Sequence, residues 1–188
     1  MKSLVKIIIP SSVISIGKGA FRGCKSLTEI TIPSSVTSIK GGIFKDCISL
    51  KQISILSPIT SIEASFAFGC NSLEQISIPS TVTSINNLAF KNCSSLSNVI
   101  IPSSVTTIDD YVFYGCTSLT NINIPSSVTS IGEYAFFGCT SLNTIKIPSS
   151  IRSIGKLAFK ECDNIKLSSI PTSVTDLKFI GIRKKNVI

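Results

Sequence analysis

All seven cysteines of the chain, Cys24, Cys47, Cys70, Cys93, Cys116, Cys139 and Cys162, stand 23 residues apart without a slip. A fixed period of this length means that one short unit recurs. Each unit is too small to enclose a core, so it must bury its apolar residues against its neighbours. The other positions keep the same period. Residues 27–49 carry Leu27, Ile30, Ile32, Pro33, Ser35, Val36, Ile39, Ile43, Phe44 and Cys47; residues 119–141 carry Leu119, Ile122, Ile124, Pro125, Val128, Ile131, Gly132, Ala135, Phe136 and Cys139. The pattern reaches from Leu4 to Ile165, so the spacing predicts about eight stacked coils. They form a single solenoid domain over 1–188, with 165–188 as a degenerate last copy or cap.

Spacing within a unit predicts its local structure. Ile30-x-Ile32 alternates with period two, as a short strand does, and Pro33 ends it by removing a backbone donor. Val36-Thr37-Ser38-Ile39 reads as a second short extended segment. Ala135, Phe136 and Cys139 between Gly132 and Gly138 stand at helical spacing. The architecture expected is therefore an α/β repeat. It is a right-handed solenoid with a parallel sheet on one wall, a second short extended wall and one helical or 3-10 turn per coil. In the third copy Phe66-Ala67 reverses the usual order and Leu56 replaces the proline; a local repacking is expected there, with the stack unbroken. In the last, Gly181, Ile182 and Lys185 stand where Ala, Phe and Cys would be, and Arg183-Lys184-Lys185 follows.

With 43% hydrophobic and 15% charged residues in 188, the chain can bury a core and carries no disorder signature. Apolar runs such as Ile7-Ile8-Ile9 and Val99-Ile100-Ile101 fall far short of the ~20 residues of a membrane helix. The start, Met1 to Lys6, resembles a weak leader, but Leu4, Ile7 and Ile9 already keep the repeat register, which points to an intracellular chain. The net charge of +8 is uneven: residues 1–51 hold eight Lys/Arg and two acids, residues 142–188 nine and three, and residues 97–141 only Asp109, Asp110 and Glu133. A nucleic-acid stripe would continue along the groove, so this polarity argues against one.

One cysteine per copy, and an odd total, suits a ladder of buried free thiols better than a disulfide framework, and points to a reducing compartment. With no histidine and every cysteine at a core position, neither a metal site nor a nucleophile with its base can be assembled. No catalytic residue and no cofactor is therefore expected.

The unit Leu-x-x-Ile-x-Ile-Pro-x-Ser-Val-x-x-Ile-Gly-x-x-Ala-Phe-x-x-Cys, repeated along essentially the whole chain, resembles the BspA-like class of leucine-rich repeats. That resemblance implies a leucine-rich-repeat solenoid that binds proteins or matrix and does no catalysis. Members of the class resemble bacterial surface adhesins and are greatly expanded in parasitic protists.

Two candidate surfaces emerge. On the strand face the outward columns are small and polar, with Asn98, Asn121 and Asn123 among them; they read either as a solvated sheet or as a polar binding groove. On the turn ridge all three tyrosines fall in two neighbouring copies. Tyr111 and Tyr134 share one column, and Tyr114 and Phe137 another, with Phe68 separated from them by Lys91. Exposed tyrosines are what protein interfaces favour, although stacking between coils also accounts for the pattern. The threonine file Thr37, Thr60, Thr83, Thr106 and Thr129 reads as structural, since Arg152 interrupts it. Lys156-Leu157-Ala158-Phe159 loosely resembles a phosphatase-docking peptide, but Phe159 is the repeat's own core residue. No polar cap precedes Leu4, so the expectation is either self-association through the N-terminal coil or further coils of a longer array. The chain thus reads as a cytoplasmic or nuclear protein-interaction scaffold. The alternatives are a surface or secreted adhesin, to which the sequon Asn92-Cys93-Ser94 lends support, and a regulatory subunit binding an enzyme such as a protein phosphatase.

Overall fold

The computed structural model describes residues 4–167, 174 and 176–182. Met1, Lys2 and Ser3 of the leader-like start, and the basic run Arg183-Lys184-Lys185, lie outside the described residues. The chain winds as a right-handed solenoid of short parallel strands. The long wall is a seven-stranded parallel sheet of β2 (Glu29–Ile32), β4 (Gln52–Ile55), β6 (Gln75–Ser77), β8 (Asn98–Ile100), β10 (Asn121–Asn123), β12 (Thr144–Lys146) and β14 (Lys166–Leu167). Their period-two pattern sets which side turns inward: Ile30 and Ile32 are buried, Glu29 and Thr31 exposed. The expectation of about eight coils is not met. Seven strands stack in this wall, which makes about six turns, because the earliest residues add only an isolated bridge, Lys6 to Glu29.

The second wall is made of two-residue strands. β5 (Ser61–Ile62), β7 (Ser84–Ile85), β9 (Thr107–Ile108), β11 (Ser130–Ile131) and β13 (Ser153–Ile154) form one sheet, and β1 (Ser15–Ile16) with β3 (Ser38–Ile39) another. The division between β3 and β5 falls where Leu56-Ser57-Pro58 replaces Pro33-Ser34-Ser35. The copy that breaks the sequence pattern also breaks the wall, although the long sheet runs through it undisturbed.

The third side corrects the expectation of a helical turn: among the described residues there is no helix. Two files of residues in each coil, four apart, adopt left-handed backbone. One file is Gly19, Gly42, Ser65, Leu88, Tyr111, Tyr134 and Leu157; the other is Gly23, Asp46, Gly69, Asn92, Gly115, Gly138 and Glu161. Left-handed residues cannot continue a right-handed helix, and the amide hydrogen bonds go elsewhere. The N–H groups of Tyr111, Phe113 and Gly115 donate to Glu133, Ala135 and Phe137 of the next coil at 2.9, 2.8 and 2.8 Å. Those of Tyr114 and Cys116 close four-residue turns onto Tyr111 and Phe113 at 3.3 and 3.1 Å. The third wall is thus a ladder of tight turns whose alternate amides tie coil to coil.

Side chains complete the ladder. Each cysteine thiol from Cys47 onward donates to a carbonyl of the preceding coil, Cys116 to Phe90 at 3.3 Å and Cys139 to Phe113 at 3.2 Å. Ser127 and Ser150 likewise donate to Val105 and Val128 at 2.6 and 2.8 Å, and Thr37, Thr83 and Thr129 reach back in the same way. These small polar residues recur because each supplies a donor to a carbonyl that stacking would otherwise leave half satisfied. The thiols are all free. Burial pushes Cys47 up to about 11 and Cys116 up to about 12, so they stay protonated at neutral pH and are poor nucleophiles.

The phenylalanines form a column through the core. Phe90, Phe113, Phe136 and Phe159 stack nearly parallel with centroids 5.7, 5.3 and 5.3 Å apart. At the reversed copy Phe66 fills in from the neighbouring file while Ala67 takes the phenylalanine place. Its ring therefore stands edge-on, at 90° to Phe44 and 70° to Phe90. The stack repacks and continues, as expected. The last copy is one residue short: Thr144 pairs with Lys166 instead of the residue 23 on. Phe159 N–H donates to Ile180 as Phe136 N–H does to Ala158, so Ile180, and not Gly181, occupies the Ala place; Ile182 is also buried.

Candidate functional site

On the turn wall the left-handed backbone turns one residue per coil outward in each file, and the side chain there is free to vary because the hydrogen bonds are made by the backbone. In coils five and six one file carries Tyr111 and Tyr134, and the column between the two files, which is not left-handed, carries Tyr114 and Phe137. Tyr111 and Tyr134 stack at 5.0 Å and 6°, Tyr114 and Phe137 at 4.9 Å and 4°. The two stacks meet within each coil, Tyr111 against Tyr114 at 5.9 Å and Tyr134 against Phe137 at 5.7 Å. All four residues are half-buried, because each ring covers a face of its neighbour; they are less open than full exposure would make them. What remains for a partner is a row of ring edges and phenol groups.

The sequence placed these four rings together, and the structure does so. It missed the cations at each end. Lys91 Nζ lies 4.3 Å from the Tyr114 ring centre and 5.0 Å from Tyr111, and Lys160 Nζ lies 5.9 Å from Phe137. The signal was present, since Lys91 and Lys160 share the column of Tyr114 and Phe137, but Lys91 was read as a separator. Tyr111 and Tyr134 have backbone φ of 58° and 54°, a conformation that costs a side-chain-bearing residue about 1–2 kcal/mol and that glycine adopts freely. The equivalent residues of the first two coils are Gly19 and Gly42. Beside the rings, Asp110 Oδ1 accepts the Glu133 N–H at 2.7 Å. Burial, with the Asp110 carboxylate beside it, raises Asp109 above its ordinary value. Partial burial, then Tyr134 and the adjacent carboxylates, raise the Tyr111 phenol, so it remains a hydrogen-bond donor at neutral pH.

The polar candidates stand on another wall. Asn98 on β8 and Asn121 on β10 are registered neighbours, and Asn123 pairs with Ile100; all three asparagines are exposed. Asn121 Oδ1 accepts the Thr144 hydroxyl at 3.2 Å. No ring contact or hydrogen bond among the described residues joins this set to the aromatic one. Phe159 is 1% exposed and stacked on Phe136, so Lys156-Leu157-Ala158-Phe159 cannot present its phenylalanine to a phosphatase. At the N-terminal edge Phe21 and Cys24 are half-buried, and Val5, Ile8 and Ile14 are exposed.

The BspA type leucine rich repeat region matches residues 1–119 and 106–180, in six copies. The chain belongs to the BspA-type leucine-rich-repeat family. Solved structures agree. A leucine-rich repeat protein from Bacteroides ovatus superposes with a TM-score of 0.81 at 34% identity, over 87% of this chain and 43% of that one. One from Eubacterium ventriosum gives 0.67 at 35%, over 71% and 36%. A leucine rich cell surface protein from Faecalibacterium prausnitzii gives 0.62 at 30%, over 93% and 56%. The chain therefore spans less than two thirds of the length of these three proteins. No curated protein matches it. Among the described residues no helix is long and apolar enough to cross a membrane.

Proposed function

We propose that this chain is a non-catalytic protein-interaction scaffold whose recognition surface is the ridge of Tyr111, Tyr114, Tyr134 and Phe137, assisted by the polar face at Asn98, Asn121 and Asn123. The observation that carries the reading is the pair of stacked tyrosines held in left-handed backbone, at a place where the first two coils use glycine and the third, fourth and seventh Ser65, Leu88 and Leu157. Side chains that cost local strain without serving the core are characteristic of functional surfaces. Stacking against the neighbouring coil also pre-orders the rings, which lowers the entropy lost on binding. In this proposal the scaffold works inside the cell, in keeping with one free thiol per coil.

Capture from source-cell lysate tests it, comparing the wild-type chain with Tyr111→Ala/Tyr114→Ala/Tyr134→Ala, both checked for folding by thermal melting. A protein retained by the first and lost by the second is the expected result. Equal capture by both would move the site off the ridge. A second reading, a surface protein, is favoured by the Faecalibacterium prausnitzii relative, itself a cell surface protein. Protonated, buried thiols survive in either compartment, so protease accessibility on intact cells separates the two.

A further inference from the structure

The turn wall is complementary to itself. In the file that carries Tyr111 and Tyr134, the residues four coils earlier are Gly19 and Gly42, so two gaps and two rings lie on one line. The gaps open into a cleft of about 810 Å³ rimmed by Lys18, Arg22, Lys40 and Lys45, with Glu63 at its third-coil end. Three residues beyond that file, cations and rings share one column: Arg22, Lys45, Phe68, Lys91, Tyr114 and Phe137 in coil order. On its other flank Lys18 and Lys40 edge the first two coils, and Asp109 and Glu133 the fifth and sixth.

A two-fold axis lying across this wall between coils three and four reverses the coil order and keeps every column facing itself. Coil one then meets coil six of the other copy, two meets five and three meets four. Lys18 faces Glu133, and Lys40 faces Asp109. In the mixed column Arg22 faces Phe137, Lys45 faces Tyr114 and Phe68 faces Lys91, a cation opposite a ring each time. Tyr134 and Tyr111 stand over Gly19 and Gly42. Any other axis position along the wall loses this matching; a shift by one coil sets Lys18 against Asp110 but Lys45 against Lys91.

We infer that the chain forms an antiparallel two-fold dimer through its turn wall. This rests on the ridge being a recognition surface and names its occupant as a second copy. The contact is isologous, so each pairing occurs twice. Six coils at about 4.8 Å make an edge about 29 Å long; at about 20 Å wide it covers about 1,200 Å² in total, the lower end of specific interfaces. A contact of this size matched through charges should be weak and salt-sensitive.

Sedimentation of the 188-residue chain should give a dimer at about 100 µM, weakened about tenfold when salt rises from about 0.05 to about 0.5 M. Lys18→Glu/Lys40→Glu and Asp109→Lys/Glu133→Lys should each be monomeric alone, and mixing them should restore a heterodimer. On the wild-type chain, carbodiimide should join Lys18 to Glu133. Within one copy these lie five coils, about 24 Å, apart, so that link can form only between copies. A strict monomer, or a dimer whose links join other residues, overturns the dimer. A monomer that still loses a captured protein on Tyr111→Ala/Tyr114→Ala/Tyr134→Ala leaves the ridge standing. A dimer indifferent to the charge reversals and to the tyrosine substitutions overturns this interface, and equal capture by the tyrosine variant would overturn the ridge as well.

Discussion

The turn wall of coils one and two and that of coils five and six share a backbone and differ in nearly every outward side chain. Gly19 and Tyr111 have φ of 64° and 58°, Gly42 and Tyr134 of 69° and 54°. Phe21 N–H reaches Ile43 at 2.9 Å as Phe113 N–H reaches Ala135 at 2.8 Å. Inward, both pairs of coils present a phenylalanine and a cysteine; outward, one presents glycine and cations and the other stacked rings. The difference teaches that amide ladders and the inner column hold the solenoid, and that the outer residues are available for recognition.

The largest effect that could break this comparison lies in the shared interior. Phe44→Ala and Phe113→Ala should each cost about 3–5 kcal/mol, by similar amounts, in urea unfolding. A loss confined to one half would mean that the halves do not share a frame. Next comes pH. Cys116 is pushed up to about 12 from an ordinary 9.0 by burial, so the folded chain holds a proton that the unfolded chain releases. Its contribution is complete below pH ~9 and is lost as pH rises toward the folded value, by up to about 1.4 kcal/mol per pH unit. Cys116→Ala should therefore flatten the alkaline decline of stability compared with wild type. A smaller effect sharpens the contrast on the ridge. Gly42→Ala should cost about 1 kcal/mol, since a Cβ is strained at its φ of 69°. Tyr111→Gly should change stability by less than about 0.5 kcal/mol, because backbone relief offsets the lost stacking. A large loss there would make the rings part of the frame.

The period, the inward isoleucines of the strands and the repacking at Phe66-Ala67 were legible in the sequence, because side-chain size and alternation encode them directly. The third wall was misread. Ala135, Phe136 and Cys139 have the spacing of a helix, and a ladder of tight turns puts the same residues inward. The discriminating signal was the file Gly23, Asp46, Gly69, Asn92, Gly115 and Gly138, rich in the residue types that tolerate left-handed backbone. The aromatic cluster was legible from two shared columns. Its lysine flanks, and the mutual covering that leaves the rings half-buried, were not, since both depend on how far side chains lean along the stack.

The central claim is that recognition uses the outer ridge of coils five and six while the frame beneath is generic. Hydroxyl-radical footprinting of the chain, alone and bound to whatever wild-type captures, tests it most directly. Protection of Tyr111, Tyr114, Tyr134 and Phe137 is expected with little change at Leu56, which is exposed at 64% and lies off the turn wall. Protection at Ile100 with the four rings unchanged would contradict it.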